Sequence, residues 1–255
     1  MSAVVSLGIA AAAGADVAAH LAPAVEQAGF HGLWVNDTPG ADALGVLAAA
    51  ASVTDRLVLA TGVLPVDRRG TDEILDRVAH LGLPQHRLVL GIGSGTRPAG
   101  ALARVTEAAA ALEVQSQARI VVGALGPRMR RLAVTAADGV LLSWLTPHAA
   151  RSQAREAHDL APGGHVALYV RAATDAAAIS RLDDEADRYA GYPAYAANFE
   201  RLGIAAGDTV MRPDDIADSI AAYREAVDEV VLRAIVADDT VDAYLSFVAA
   251  AAAVL

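Results

Sequence analysis

HRLVLGIGSG, residues 86–95, sets the pattern from which the rest of the chain is read: an aliphatic run breaks into glycine and serine, and an alanine-rich helical stretch over 101–112 follows. A near-continuous apolar run suits a strand buried on both faces, and the helix behind it completes one βα unit of a parallel sheet. Outward from this segment the unit recurs, with apolar runs at 4–9, 33–35, 57–60, 88–92, 120–122, 140–142, 166–170 and 230–236. Eight such units over 255 residues predict one (β/α)8 TIM-barrel domain spanning 1–255, with its functional loops at the C-terminal ends of the strands.

Helices are expected at 16–28, with Asp16 as N-cap and Gly29 as stop signal, and then at 42–51, 71–81, 101–112, 127–136 and from Pro147 onward. Pro127 and Pro147 suit a first helical turn, where the missing N–H has no internal partner. The connection 172–228 is long enough to be a helical insertion between strands seven and eight. Within it Asp183-Asp184-Glu185 reads as a solvated helix start. Tyr189, Tyr192 and Tyr195 around Pro193 read either as a lid or as a cap on the barrel rim. Pro213-Asp214-Asp215 opens the helix leading to strand eight.

Composition excludes several chemistries. A formal charge of -10 argues against a nucleic-acid or anionic-membrane surface and for a small-molecule substrate. All twenty basic residues are arginine, so Schiff-base and pyridoxal-phosphate chemistry have no lysine to use, and without cysteine there is no thiol nucleophile or thiolate ligand. The seven histidines form no paired metal motif, and no metal site is expected. No basic segment precedes the apolar start, and 247–255 is too short to span a bilayer, so a cytoplasmic protein is expected.

The loops after the strands carry the candidate site. Asn36 and Asp37 sit where a barrel presents polar groups to a ligand, Asp37 as a hydrogen-bonding partner or an acid; with Thr38, Pro39 and Gly40 they also read as a plain turn. Thr61-Gly62-Val63 allows either a bulge approached closely by a flat ligand or a kink into the loop. Gly93, Ser94 and Arg97 read as a phosphate cradle or a tight turn. Gly126, Pro127 and Arg128 bring glycine-loop amides and a helix start to an anion, or form a surface basic patch. Ser143, Trp144 and Thr146 follow strand six, where an indole either stacks on a ligand or packs in the core.

The segments HGLWVNDTPG (31–40), LATGVLPVDRRG (59–70), HRLVLGIGSG (86–95), VVGALGPRMRRLAVTAADGVLLSWLTP (121–147) and VDEVVLR (227–233) together resemble the bacterial-luciferase-like superfamily, and within it the deazaflavin-dependent oxidoreductase branch. The resemblance implies a homodimeric (β/α)8 barrel holding coenzyme F420, or alternatively FMN, at its C-terminal face. It implies a non-proline cis peptide within Thr61-Gly62-Val63 behind the cofactor ring. It places the cofactor phosphate near Gly93, Ser94, Gly126, Pro127, Ser143 and Thr146, with Arg97 and Arg128 as charge partners. Thr38 stands where many members have histidine, and Ser94-Gly95-Thr96 lacks the glutamate of the branch's sugar-phosphate dehydrogenase. The expected activity is hydride transfer between reduced F420 and a small unsaturated or carbonyl substrate. Asn36 and Asp37 would polarise the reacting partner and Trp144 would wall the pocket. The alternatives are an FMN-dependent monooxygenase and a cofactor-binding barrel without turnover.

Overall fold

A computed structural model describes residues 3–255. Eight parallel strands run in chain order around a closed barrel: β1 (Val4–Ala10), β2 (Gly32–Asn36), β3 (Val58–Thr61), β4 (Leu88–Gly93), β5 (Arg119–Gly123), β6 (Gly139–Ser143), β7 (His165–Ala172) and β8 (Glu229–Ala234). The seam closes where Leu59 and Ala60 of β3 pair with Leu88 and Val89 of β4. Past a bulge at Gly62 and Val63, Leu64–Pro65 continues the third strand against Ile92 and Gly93. The predicted runs each fall on one of these strands, although β8 stops at Ala234 and leaves Ile235 and Val236 in the following loop.

Alternation along each strand explains why both faces are buried. Leu7, Ile9, Leu33, Val35, Leu90, Ile92, Leu168 and Val170 point outward into the main core beneath the helices. The inward residues are smaller or aromatic: Trp34, Ala60, Val89, Val121, Leu141, Ala167, Tyr169 and Val231 form a separate cluster that fills the barrel. A parallel sheet covered on both faces is therefore written as an unbroken apolar run.

Around the barrel lie α1 (Gly14–Gln27), α2 (Ala43–Ala51), α3 (Thr71–His80), α4 (Ala101–Gln115), α5 (Pro127–Thr135) and α6 (Pro147–Leu160). Asp16 lies inside the first turn of α1 rather than capping it, because the helix starts two residues earlier. The insertion forms α7 (Ile179–Ala190), α8 (Pro193–Leu202) and α9 (Ile216–Arg224), and α10 (Val241–Ala252) closes the ring. Asp183, Asp184 and Glu185 lie in the middle of α7, not at a helix start. Their acidity serves ion pairs instead: Asp183 meets Arg212 at 2.5 Å and Glu185 meets Arg171 at 3.1 Å.

The floor of the barrel is polar. Glu229, 1% exposed at the start of β8, accepts from Ser6 Oγ at 2.5 Å, Trp34 Nε1 at 2.7 Å and His165 Nε2 at 2.8 Å. Burial works against this carboxylate, but the donors around it prevail and hold it below the usual glutamate range. Among the described residues no helix is long and apolar enough to cross a membrane.

Candidate active site

A cavity of about 540 Å³ opens at the C-terminal mouth, above the apolar filling of the barrel. Its floor is Leu141 and Tyr169, with Trp34 packed edge-on beneath Tyr169 at a ring separation of 6.3 Å. One wall is the bulge after β3, where the Gly62–Val63 peptide bond is cis. Asn36 Nδ2 donates to Gly62 O at 2.5 Å, and Thr61 Oγ1 donates to Gly91 O at 2.9 Å, which ties the bulge to the strands on either side.

Missing side chains create the space. A Cβ on Gly62 would come within 2.9 Å of the Tyr169 ring, and one on Gly93 within 2.5 Å of Val63 Cγ2. A Cβ on Gly123 would lie 3.0 Å from Val63 Cγ1. The glycines at these strand ends therefore let Val63 lie in the wall instead of being driven into the cavity.

The insertion supplies another part of the lining, with Tyr189, Ala194 and Tyr195 facing the cavity. Tyr189 also packs on Trp144 with ring centroids 4.8 Å apart, so the tyrosines both border the cavity and cover the rim. Burial pushes the Tyr195 hydroxyl up to about 12 and the Tyr169 hydroxyl still higher, so both phenols stay protonated at neutral pH.

Of the residues expected in the site, Asn36, Asp37, Gly62, Val63, Gly93, Ser94, Gly126 and Ser143 line this cavity. The other six do not. Thr61 is fully buried with its hydroxyl on Gly91. Arg97, Pro127 and Arg128 are exposed outside the cavity. Thr146 caps α6, accepting from Ala149 N at 3.3 Å. Trp144 is 1% exposed and sits behind Arg171, so it backs the wall without forming its surface. The cradle expected at Arg97 is also occupied by the protein itself: Asp67 Oδ2 accepts from Thr96 N at 2.8 Å and Arg97 N at 3.1 Å. An anion is thus better met by Ser94, Ser143 and the first turn of α5 behind Gly126, whose N–H groups have no intrahelical partner.

Asp37 is held on both oxygens. Arg69 donates from Nε and Nη2 at 3.3 Å each, and Arg68 lies 3.5 Å away, with the Asp37 side chain only 1% exposed. That arrangement anchors the loop after β2 as an ion pair; it does not leave a free acid pointing at a ligand.

Sequence reading missed Arg171. It stands one residue before the end of β7, inward on the alternation that runs through Ala167 and Tyr169, and it lines the cavity. Its Nη1 donates to Ser143 Oγ at 2.6 Å and its Nε to Glu185 Oε1 at 3.1 Å. The guanidinium centre lies 4.0 Å from the Trp144 ring and 4.8 Å from the Tyr189 ring. A charged residue ending an apolar strand was the available signal.

Residues 3–102 match the family model described as luciferase-like monooxygenase. No curated protein matches the chain by sequence. Solved structures share the whole fold at low identity. A coenzyme F420-dependent tetrahydromethanopterin reductase from Methanopyrus kandleri is 19% identical, with 96% of this chain and 98% of that chain covered and a TM-score of 0.74. An F420-dependent secondary alcohol dehydrogenase in complex with an F420–acetone adduct is 14% identical over 98% and 99%, with a TM-score of 0.73. The oxygenating constituent of 3,6-diketocamphane monooxygenase from Pseudomonas putida, in complex with FMN, is 14% identical over 98% and 97%, with a TM-score of 0.68.

Proposed function

With the luciferase-like fold as premise, we propose that this chain is an oxidoreductase that moves a hydride between reduced coenzyme F420 and a small unsaturated or carbonyl substrate. The observation that carries the reading is the glycine-cleared slot at the barrel mouth. Val63 with main chain, tyrosines, and hydroxyls beside a helix start line it. A volume of about 540 Å³ with this lining suits a planar ring with a polar tail.

When bound, the cofactor supplies the hydride chemistry. The chain supplies the rest. Gly62 and Val63 would back the ring, with Asn36 locking the bulge through Gly62 O. Ser94, Ser143 and the α5 start would receive the phosphate end. Asp37, paired with Arg68 and Arg69, fixes the loop over the cavity edge. Tyr189 and Tyr195 exclude water on the substrate side, and the protonated Tyr195 hydroxyl is a hydrogen-bond donor. We further propose a homodimer, which light scattering on the eluting peak of a sizing column would show at twice the 26.1 kDa chain mass.

The test is direct titration of the purified protein with F420 and with FMN, followed by cofactor fluorescence. Saturable binding of F420, tighter than FMN, is the expected result. Tight FMN binding with none of F420 would replace the proposal by an FMN-dependent monooxygenase, and binding of neither would remove the cofactor reading.

A further inference from the structure

Arg171 is the cation that the cavity keeps out of bulk water. It is 4% exposed, whereas the side chain of Arg68, the other arginine on the cavity wall, is 45% exposed and lies beside Asp37. Two aromatic faces, Ser143 and Glu185 hold the Arg171 group. Among the described residues its Nη2 has no hydrogen-bond acceptor, and Arg171 lines the cavity, which leaves this amino group available to a ligand there. A largely buried guanidinium with both Nη2 donors unused is a strong recognition group for an anionic oxygen.

The surrounding charge agrees. Arg171 and Arg233 are directly paired across β7 and β8, one strand apart at the mouth. Burial works against the nearby Glu185 carboxylate, and Arg171, Arg233 and Arg188 together hold it below the usual glutamate range. The side chain of Glu185 is 13% exposed, and on its outer side lies Arg188 at 3.4 Å. Arg171, Arg188 and Arg233 thus gather near Glu185, with Asp239 as a further acid near Arg233.

We infer that Arg171, through Nη2, binds an anionic oxygen of the ligand in this cavity. Resting on the cofactor reading above, the oxygen has two sources: the pyrimidine edge of the ring, which carries negative charge once reduced and deprotonated, or a carboxylate or enolate oxygen of the substrate. Arg171 is then the group that makes the cavity prefer ligands with negative charge at its inner wall, a role that Asp37 cannot fill.

Three proteins separate this role from a structural one: native, E185Q, and the double variant R171M/E185Q, which removes cation and counter-charge together and leaves no stranded buried charge. In the first arm, dissociation constants are measured for the oxidised and the reduced forms of FMN and of F420. In the second, sodium acetate is titrated into the cofactor-free protein while tryptophan emission is followed, Trp144 lying 4.0 Å from the guanidinium. Loss of one charge-assisted hydrogen bond corresponds to about tenfold or more in affinity. If the ring is the source, R171M/E185Q loses about tenfold of its preference for reduced over oxidised cofactor, while E185Q gains preference. If the substrate is the source, that preference is unchanged and acetate binding is instead lost in the double variant and strengthened in E185Q.

A merely structural Arg171 would weaken oxidised cofactor, reduced cofactor and acetate alike, and would move both variants in the same direction; either outcome overturns the inference, as does no change in either arm. If neither cofactor binds native protein, the functional proposal fails while the acetate arm still decides the role of Arg171.

Discussion

Replacing Glu229 by alanine should strongly destabilise the barrel floor. The carboxylate accepts from Ser6 and Trp34, both at 0% exposure, so neither donor can turn to water when the acceptor is gone. At about 1–3 kcal/mol for each stranded buried donor, the pair amounts to roughly 2–6 kcal/mol. His165, whose side chain is 24% exposed, rehydrates and adds little. For a chain of this size about 1 kcal/mol lowers the melting point by roughly 2–4 °C, so E229A should melt about 10 °C lower than native protein. E229Q keeps an amide oxygen with two lone pairs for the same two donors and should stay within about 1 kcal/mol of native. Because the native pKa of Glu229 is depressed, its contribution is complete above the ordinary carboxylate value of 4.5 and is lost as pH falls through the lower native value. The glutamine variant should therefore show a flatter loss of stability in acid. Thermal and urea unfolding followed by near-ultraviolet circular dichroism measure all of this. An E229A midpoint within about 2 °C of native, at matched pH, would refute the accounting.

Gly93→Ala places a methyl 2.5 Å from Val63 Cγ2; it should cost about 1–3 kcal/mol and weaken cofactor binding by driving Val63 inward, as read by melting and by cofactor titration. Asp37→Asn keeps one acceptor but loses the charge opposite Arg68 and Arg69. It should lower stability by about 1–3 kcal/mol in chemical denaturation and loosen residues 37–42 toward proteolysis.

The strands were legible because a barrel strand buried on both faces has no polar alternation to blur it. The eight runs differ from the observed strands mostly by a residue or two at their ends, where inward glycines and polar residues such as Asn36, Ser143 and Arg171 interrupt the apolar stretch. The same interruptions hid part of the site. Arg171 lies just beyond the run 166–170, and only the inward phase shared with Tyr169 identifies it as a mouth residue. The glycine loops were read as open cradles, but a linear sequence does not reveal that Asp67, some thirty residues earlier, already fills the amides of Thr96 and Arg97. Glu185 likewise looked like helix-start acidity because its partner is brought to it only when the insertion folds back over the rim.

That fold-back gives the mouth an electrical property. Glu185 is carried by α7, while the guanidinium it balances is carried by the barrel. Were α7 to move away from the rim, the counter-ion would go with it and the mouth would become more positive. An incoming anion would then meet its greatest attraction while the helix is displaced.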